Sequence, residues 1–234
     1  MTLPVKQNFT FSTLEPMPEL QVLTECPYCR ETRWEIVPSK GAKPCRCLLA
    51  YRRMLALASI PDRFRGVRLA TVLPHNAVQA RIIANLQANP TRGAFFFGAT
   101  GEGKTHLAVA LLRHAIENDR RARYFPFEAL SKQWTEWSQR SEQKPVLRPV
   151  FLPEDLDGSE PRTVLFDDID KGNIKDSSYV GARQMFALMD KVYLSTIPHQ
   201  LIFTTNDTEE QLKTRWGQPT MRRIAETCDV YAMN

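Results

Sequence analysis

The stretch GATGEGKT, Gly98 to Thr105, constrains this chain more than any other. It fits G-x-x-x-x-G-K-[ST], the pattern of a backbone loop that holds phosphate groups. The chemistry asks for these residue types. Gly98, Gly101 and Gly103 let the backbone turn tightly and aim N–H groups inward. A helix opening near Lys104 adds its positive N-terminal end. Lys104 reaches the β- and γ-phosphates of a nucleotide such as ATP, and the Thr105 hydroxyl serves Mg²⁺. Ala99, Thr100, Glu102 and His106 complete the predicted contact stretch. AFFF ahead reads as a strand and THLAVALLRHA behind reads as a helix, a setting that an ordinary glycine-rich turn does not need.

Later segments bring polar groups to the same edge. VLFDD, Val164 to Asp168, is an apolar run ending in two acids. That places carboxylates at the C-terminal edge of a parallel sheet, where α/β folds bind ligands. Asp167 is read as the holder of Mg²⁺ through its water shell, and Asp168 as the group that orients or deprotonates an attacking water. Alone such a run is often just a strand end, but here it falls one strand–helix unit past the phosphate loop. LIFTTN sets Asn206 at the tip of the next strand. Its amide either hydrogen-bonds the water or the γ-phosphate, or is a satisfied loop residue. In MRRIAE, Arg222 and Arg223 have no acid before Glu226. The pair is either a finger offered to a neighbouring subunit, where guanidinium stabilises charge developing on the γ-phosphate, or an exposed basic pair on a helix. Spacing alone does not choose.

Around these motifs the pattern alternates. GAFFFGA, ARYFPF, RTVLFDD, HQLIFTTN and DVYAM read as strands, and KTHLAVALLRHAIENDR, EALSKQWTEWSQR and SYVGARQMFALMDKVYLS as helices. Strands alternating with helices predict an α/β fold, a parallel sheet covered on both faces. Ahead of it, HNAVQARIIANLQANP is an amphipathic helix stopped at Asn89-Pro90. CLLAYRRMLALASI is another, ended by Pro61, with Leu48, Leu49, Met54, Leu55 and Leu57 available for packing. The proline-punctuated SEQKPVLRPVFLPEDLDGSEPR reads as a mobile loop.

Four of the five cysteines form C-x2-C-x15-C-x-C: Cys26, Cys29, Cys45 and Cys47. A redox CxxC wants its first cysteine at a helix N-terminus, which lowers the thiol pKa. After Cys29 comes instead a strand-like piece, Trp34 to Val37, then a turn and the second pair. Two short pairs on separate turns suit tetrahedral Zn²⁺. Cys228, among apolar neighbours, reads as a core residue. The predicted organisation is a flexible arm over 1–19, a four-cysteine zinc module over 20–48, a linker helix over 49–60 and the α/β domain over 61–234.

Composition excludes some classes. Apolar runs are too short to span a bilayer, and the N-terminus has no basic region followed by an apolar stretch. No membrane role and a cytoplasmic location are therefore expected, where thiols stay reduced. A net charge of +5 permits an anionic partner without demanding one.

GATGEGKTHLA, VLFDDID, LIFTTN and RRIAE, in this order and spacing, resemble an AAA+ ATPase. IPDRFRGVRLATV narrows the likeness to the DnaC/IstB-like branch, where such a segment borders the adenine pocket. The resemblance covers about residues 58–234 and implies a parallel five-stranded sheet lacking the C-terminal lid. It implies Walker A at Gly98–Thr105, Walker B at Asp167 and Asp168, sensor 1 at Asn206, and Arg223 as the better match to an arginine finger, hence a homo-oligomer. Asp168 stands where most of the family has Glu. Some helicase loaders of this branch carry a zinc module that grips the helicase, and transposition helpers generally lack one. The implied function is an ATP-dependent loader of a hexameric replicative DNA helicase that handles single-stranded DNA. Alternatives are an IstB-like transposition helper and a nucleotide-switched adaptor with little hydrolysis. Lys132, Trp134, Trp137 and Arg140 offer the charges and rings that grip single-stranded DNA, although helix-spaced tryptophans also read as core packing.

Overall fold

The computed structural model describes residues 26–30, 32–38, 41–139, 156, 160–171 and 178–233. The arm expected over 1–19 and most of the loop expected over 141–162 lie outside the described residues. By contacts the chain divides into two compact units, Met1–Arg52 and Arg53–Asn234. The division falls inside the predicted linker helix.

In the first unit, β1 (Trp34–Val37) pairs antiparallel with β2 (Gly41–Pro44), setting Trp34 opposite Pro44 and Val37 opposite Gly41. Gly41 turns the chain with φ 81, a left-handed conformation that glycine adopts at no steric cost. Helix α1 (Arg46–Ala58) follows directly.

The packing predicted for α1 needs one correction. Met54 and Leu55 are exposed, whereas Ala56 and Ile60 are buried with the sheet helices. Residues one or two positions apart point to different sides of a helix, so a core row through Ala56 and Ile60 turns Met54 and Leu55 outward. The helix stops before Pro61, as the Ser59 hydroxyl donates to the Ala56 carbonyl at 2.6 Å.

Helix α2 (Ala77–Ala88) starts under Asn76, whose side chain accepts from the Gln79 amide. Then come β3 (Gly93–Phe97), α3 (Lys104–Glu117), β4 (Arg121–Pro126), α4 (Phe127–Gln139), β5 (Arg162–Asp167), α5 (Ser178–Leu194) and β6 (Gln200–Thr205). Two short helices, α6 (Glu209–Trp216) and α7 (Gln218–Thr227), lead into β7 (Cys228–Ala232). The five strands form one parallel sheet in the order β4-β5-β6-β3-β7.

Strand residues alternate between two cores, as period-2 geometry requires. Phe95, Val164, Phe166, Leu201 and Phe203 pack with α4 to α7 on one face, and Ala94, Phe96, Leu165 and Ile202 with α2 and α3 on the other. In-register phenylalanines form a ladder across four strands: Phe125 on Phe166, Phe166 on Phe203 and Phe203 on Phe95, with ring centroids 6.1, 5.4 and 5.7 Å apart. Cys228 is buried as expected, and burial pushes its thiol up to about 12. Among the described residues no helix is long and apolar enough to cross a membrane.

Candidate functional site

The loop after β3 is built by its glycines. Gly101 and Gly103 adopt φ 92 and 81, which any side chain would strain, and Gly103 caps the start of α3. Lys104, on the first turn of α3, is buried and donates to the Gly98 carbonyl at 2.8 Å, the Ala99 carbonyl at 2.7 Å and Asn206 Oδ1 at 2.9 Å. Burial lowers its pKa, opposed by the charges of Asp168, Asp170, Glu102 and Asp167. Thr100 also donates to Asn206 Oδ1, at 3.3 Å. Gln79, buried on α2, braces the loop from behind with its Nε2 2.9 Å from the Glu102 carbonyl.

Neighbouring strands deliver the acids. Sheet order sets β5 beside β6 and β6 beside β3, so the tips of all three end at one edge. Asp167 is buried, and its carboxylate accepts from Thr105 Oγ1 at 2.8 Å, Thr204 Oγ1 at 2.7 Å and the Tyr124 hydroxyl at 2.7 Å. Burial raises its pKa despite these hydroxyls. Burial and the adjoining Asp167 charge also push the Tyr124 phenol well above its ordinary value. Asp168 turns with φ 56, donates its amide to Thr204 Oγ1 at 2.8 Å and pairs with Lys171. Asn206 closes the cluster, its backbone and side-chain N–H groups both donating to Asp170.

Of the predicted residues, Lys104 therefore bonds Asn206 and Thr105 bonds Asp167, two groups that start from adjacent positions on α3, with Asp168 next to the second. His106 lies on the first turn of α3, edge-on to Phe64 with centroids 6.4 Å apart, so the IPDRF segment flanks the loop. Burial lowers the His106 pKa, and His75 adds to the effect. Tyr124, Thr204, Asp170 and Gln79 join the site without having been singled out. No local pattern marks any of them, and their partners lie far away in the sequence.

The arginine pair lies elsewhere. Arg222 is exposed and bound to Glu226 at 3.0 Å. Arg223 does have an earlier acidic partner, contrary to the sequence reading: Asp190 of α5, at 3.0 Å. It also lies 3.9 Å over the Tyr193 ring.

On α4 the expected DNA surface is corrected in part. Trp134 is 1% exposed and packs edge-on against Phe127, so no base can stack on it. Lys132 is exposed and pairs with Glu128 at 2.8 Å. The side chains of Trp137 and Arg140 lie outside the described residues.

The four cysteines of the first unit converge, with sulfurs all within 4.8 Å of one another. Cys26 and Cys45 are 3.7 Å apart and Cys29 and Cys47 3.5 Å. Zn–S bonds of about 2.3 Å in a tetrahedron give S···S edges of about 3.8 Å. A disulfide would instead need about 2.05 Å. The donor set and spacing thus fit a zinc ion. Amide hydrogen bonds from Tyr28 and Cys29 bring the Cys26 thiol down to about 7, while desolvation pushes Cys45 up to about 12.

No protein-family model matches the sequence, and no curated protein does. Solved structures do. The chain is similar to a crystal structure of the DnaC helicase loader, with TM-score 0.57 and 22% identity over 74% of this chain and 100% of that one. A crystal structure of DnaI gives TM-score 0.54 and 16% identity, covering 75% of this chain and 92% of the other. AMPPCP-bound DnaA from Aquifex aeolicus gives TM-score 0.53 and 16% identity over 71% of this chain and 49% of DnaA, about half of that protein's length. These likenesses show the fold: the parallel α/β sheet is the one shared with DnaC and DnaA.

Proposed function

We propose that this protein is an ATPase that loads a hexameric replicative DNA helicase, with residues 20–48 as a zinc module that grips the helicase, 49–60 as its linker and 61–234 as the motor. The observation that carries this reading is the meeting of Lys104, Asn206, Thr105 and Asp167 at one sheet edge. Together they offer an ammonium and a carboxylate–hydroxyl pair beside a glycine-built loop, the set a Mg²⁺–nucleotide needs.

With ATP bound, the Gly98–His106 loop wraps the phosphates and Lys104 exchanges loop carbonyls for phosphate oxygens. Mg²⁺ would be held by Thr105 and, through water, by Asp167, and would neutralise charge on the β- and γ-phosphates. Asp168 orients or deprotonates the water that attacks the γ-phosphorus, as the bond to the ADP oxygen breaks. Asn206 lines the same space. Arg223 serves as a finger only in a homo-oligomer and after leaving Asp190, with Arg222 the alternative. The DnaC and DnaI likenesses and the Cys26, Cys29, Cys45, Cys47 cluster support the loader reading over a transposition helper. Single-stranded DNA remains part of the proposal, without Trp134. Work on a replicative helicase implies a cytoplasmic location.

One observation favours a second reading. Asp168 is short for its role and held by Lys171, which suits a nucleotide-switched adaptor that scarcely hydrolyses ATP.

Native mass spectrometry with the hexameric helicase of the same host, under ATP and under ADP, tests the loader. The complex is expected to survive Lys104→Ala and to vanish when Cys26 and Cys29 are replaced. Filaments on DNA without any helicase complex would instead point to the transposition helper. Equal, slow turnover by wild type, Lys104→Ala and Asp168→Ala would leave the adaptor.

A further inference from the structure

Asn206 has two faces, and both are spoken for. On one side both oxygens of the Asp170 carboxylate are engaged: Oδ1 accepts the Asn206 backbone N–H at 3.0 Å and Oδ2 accepts its side-chain amide at 2.9 Å. On the other side the amide oxygen accepts from the Lys104 ammonium at 2.9 Å and the Thr100 hydroxyl at 3.3 Å. A carboxylate only accepts and an ammonium only donates. Flipping the amide would set oxygen against oxygen at Asp170 and N–H against N–H at Lys104. The orientation is therefore dictated by chemistry on both sides.

Local structure explains why Asp170 is there. The chain leaves β5 at Asp167, Asp168 takes φ 56, and a single tight turn, Ile169–Lys171, follows. Ile169 is fully buried and pins that turn, and the Lys171 amide closes it on the Asp168 carbonyl at 2.9 Å. Asp170 is thereby aimed at the tip of β6.

We propose that Asp170 is a positioning residue that fixes Asn206 with its amide oxygen, not its N–H, toward the phosphate loop. An acceptor facing a phosphate oxygen gains nothing, so Asn206 acts on Lys104 and on a proton of the attacking water rather than on the γ-phosphate itself. This rests on the ATPase reading above. Burial pushes the Asp170 carboxyl up, but hydrogen bonds from Asn206, its own backbone and Thr205 together hold it below its ordinary range, so it stays an acceptor near neutral pH.

The test is a double-mutant cycle on ATP turnover and on affinity for ATP and ADP, using wild type, Asp170→Ala, Asn206→Ala and the double variant. Asp170→Ala and Asn206→Ala are each expected to lower kcat about ten-fold, with KM for ATP changing less than about two-fold. Adding Asp170→Ala to Asn206→Ala should cost nothing more, because the two act as one unit. A purely structural role would give a second, additive loss. Should Asp170→Ala fail to fold, Asp170→Asn removes the charge and one acceptor and allows the same comparison. Wild-type kcat in the Asp170 variant, or a full further loss in the double variant, overturns the proposal. A wild type that binds ATP without turning it over sinks the ATPase reading alone. The same cycle is then read on the ratio of ATP to ADP affinity, where an Asp170→Ala effect that disappears without Asn206 supports the proposal and an independent effect overturns it.

Discussion

The two units of the chain are held by different physics. In the described part of the first, the only buried apolar side chains are Cys29 and Cys45, while Tyr28, Trp34 and Ile36 are 64%, 43% and 80% exposed. The second carries a core on each face of its sheet, with Phe166 and Phe203 wholly buried in one and Phe96 in the other. A hairpin of two four-residue strands cannot offset its ordering entropy by burial. Four converging thiols can, once they hold a metal. The contrast teaches where each unit is fragile: one at its sulfurs, the other at its rings.

The largest effect is therefore expected from the metal. Chelation, or Cys45→Ser with Cys47→Ser, should abolish the β1–β2 pairing. The apparent binding energy of structural zinc, about 10–16 kcal/mol, far exceeds what this hairpin buries. Hydrogen exchange read by mass spectrometry, with metal quantified alongside, checks it. Protection should vanish at 34–44 and persist in β3, β5 and β6. Unchanged protection at 34–44 after metal loss would break the comparison, since the hairpin would then stand on its own packing.

Next comes Phe203→Ala, at the middle of the phenylalanine ladder. Phe203 stacks on Phe166 and contacts Phe95, so its removal leaves a cavity between three strands. A loss of about 3–5 kcal/mol is expected from denaturant unfolding of the second unit, with bound metal unchanged. A loss under about 1 kcal/mol would mean that the sheet can collapse around the gap.

The sequence showed some of this readily and some not at all. The loop and the strands were legible because their signals are local: G-x-x-x-x-G-K-T sits between an apolar run and a helical pattern, and the five strands lie where five short apolar segments stand. The cysteine cluster was legible from its paired spacing. The groups around Asp167 were not. Tyr124 and Thr204 lie 43 and 37 residues from it, and nothing in the sequence of either strand marks the hydroxyl that reaches it. Asp170 was hidden for the same reason, its partner Asn206 lying 36 residues away across the sheet. Helix α6 had a readable start, Thr208 with Gln211 three residues on, which the structure uses as a reciprocal cap. Trp134 was ambiguous by nature. Helical spacing of tryptophans suits a core or a nucleic-acid surface equally, and the deciding ring, Phe127, packs against both Trp134 and the distant Trp216.

The smallest effect sharpens the comparison most. Ile36 is as apolar as any ladder residue, yet it is 80% exposed, on the same face of β1 as Trp34. Burial stabilises by removing apolar area from water, at about 25 cal/mol per Å², and Ile36 has given up little of its area. Ile36→Ser should therefore change the stability of either unit by no more than about 0.5 kcal/mol and leave the bound metal in place. A similar change on the ladder would cost several times more, so burial rather than residue type sets the scale. A drop of more than about 1 kcal/mol, or metal loss, would show that this face of the hairpin is covered in solution and that sulfurs alone do not hold the first unit.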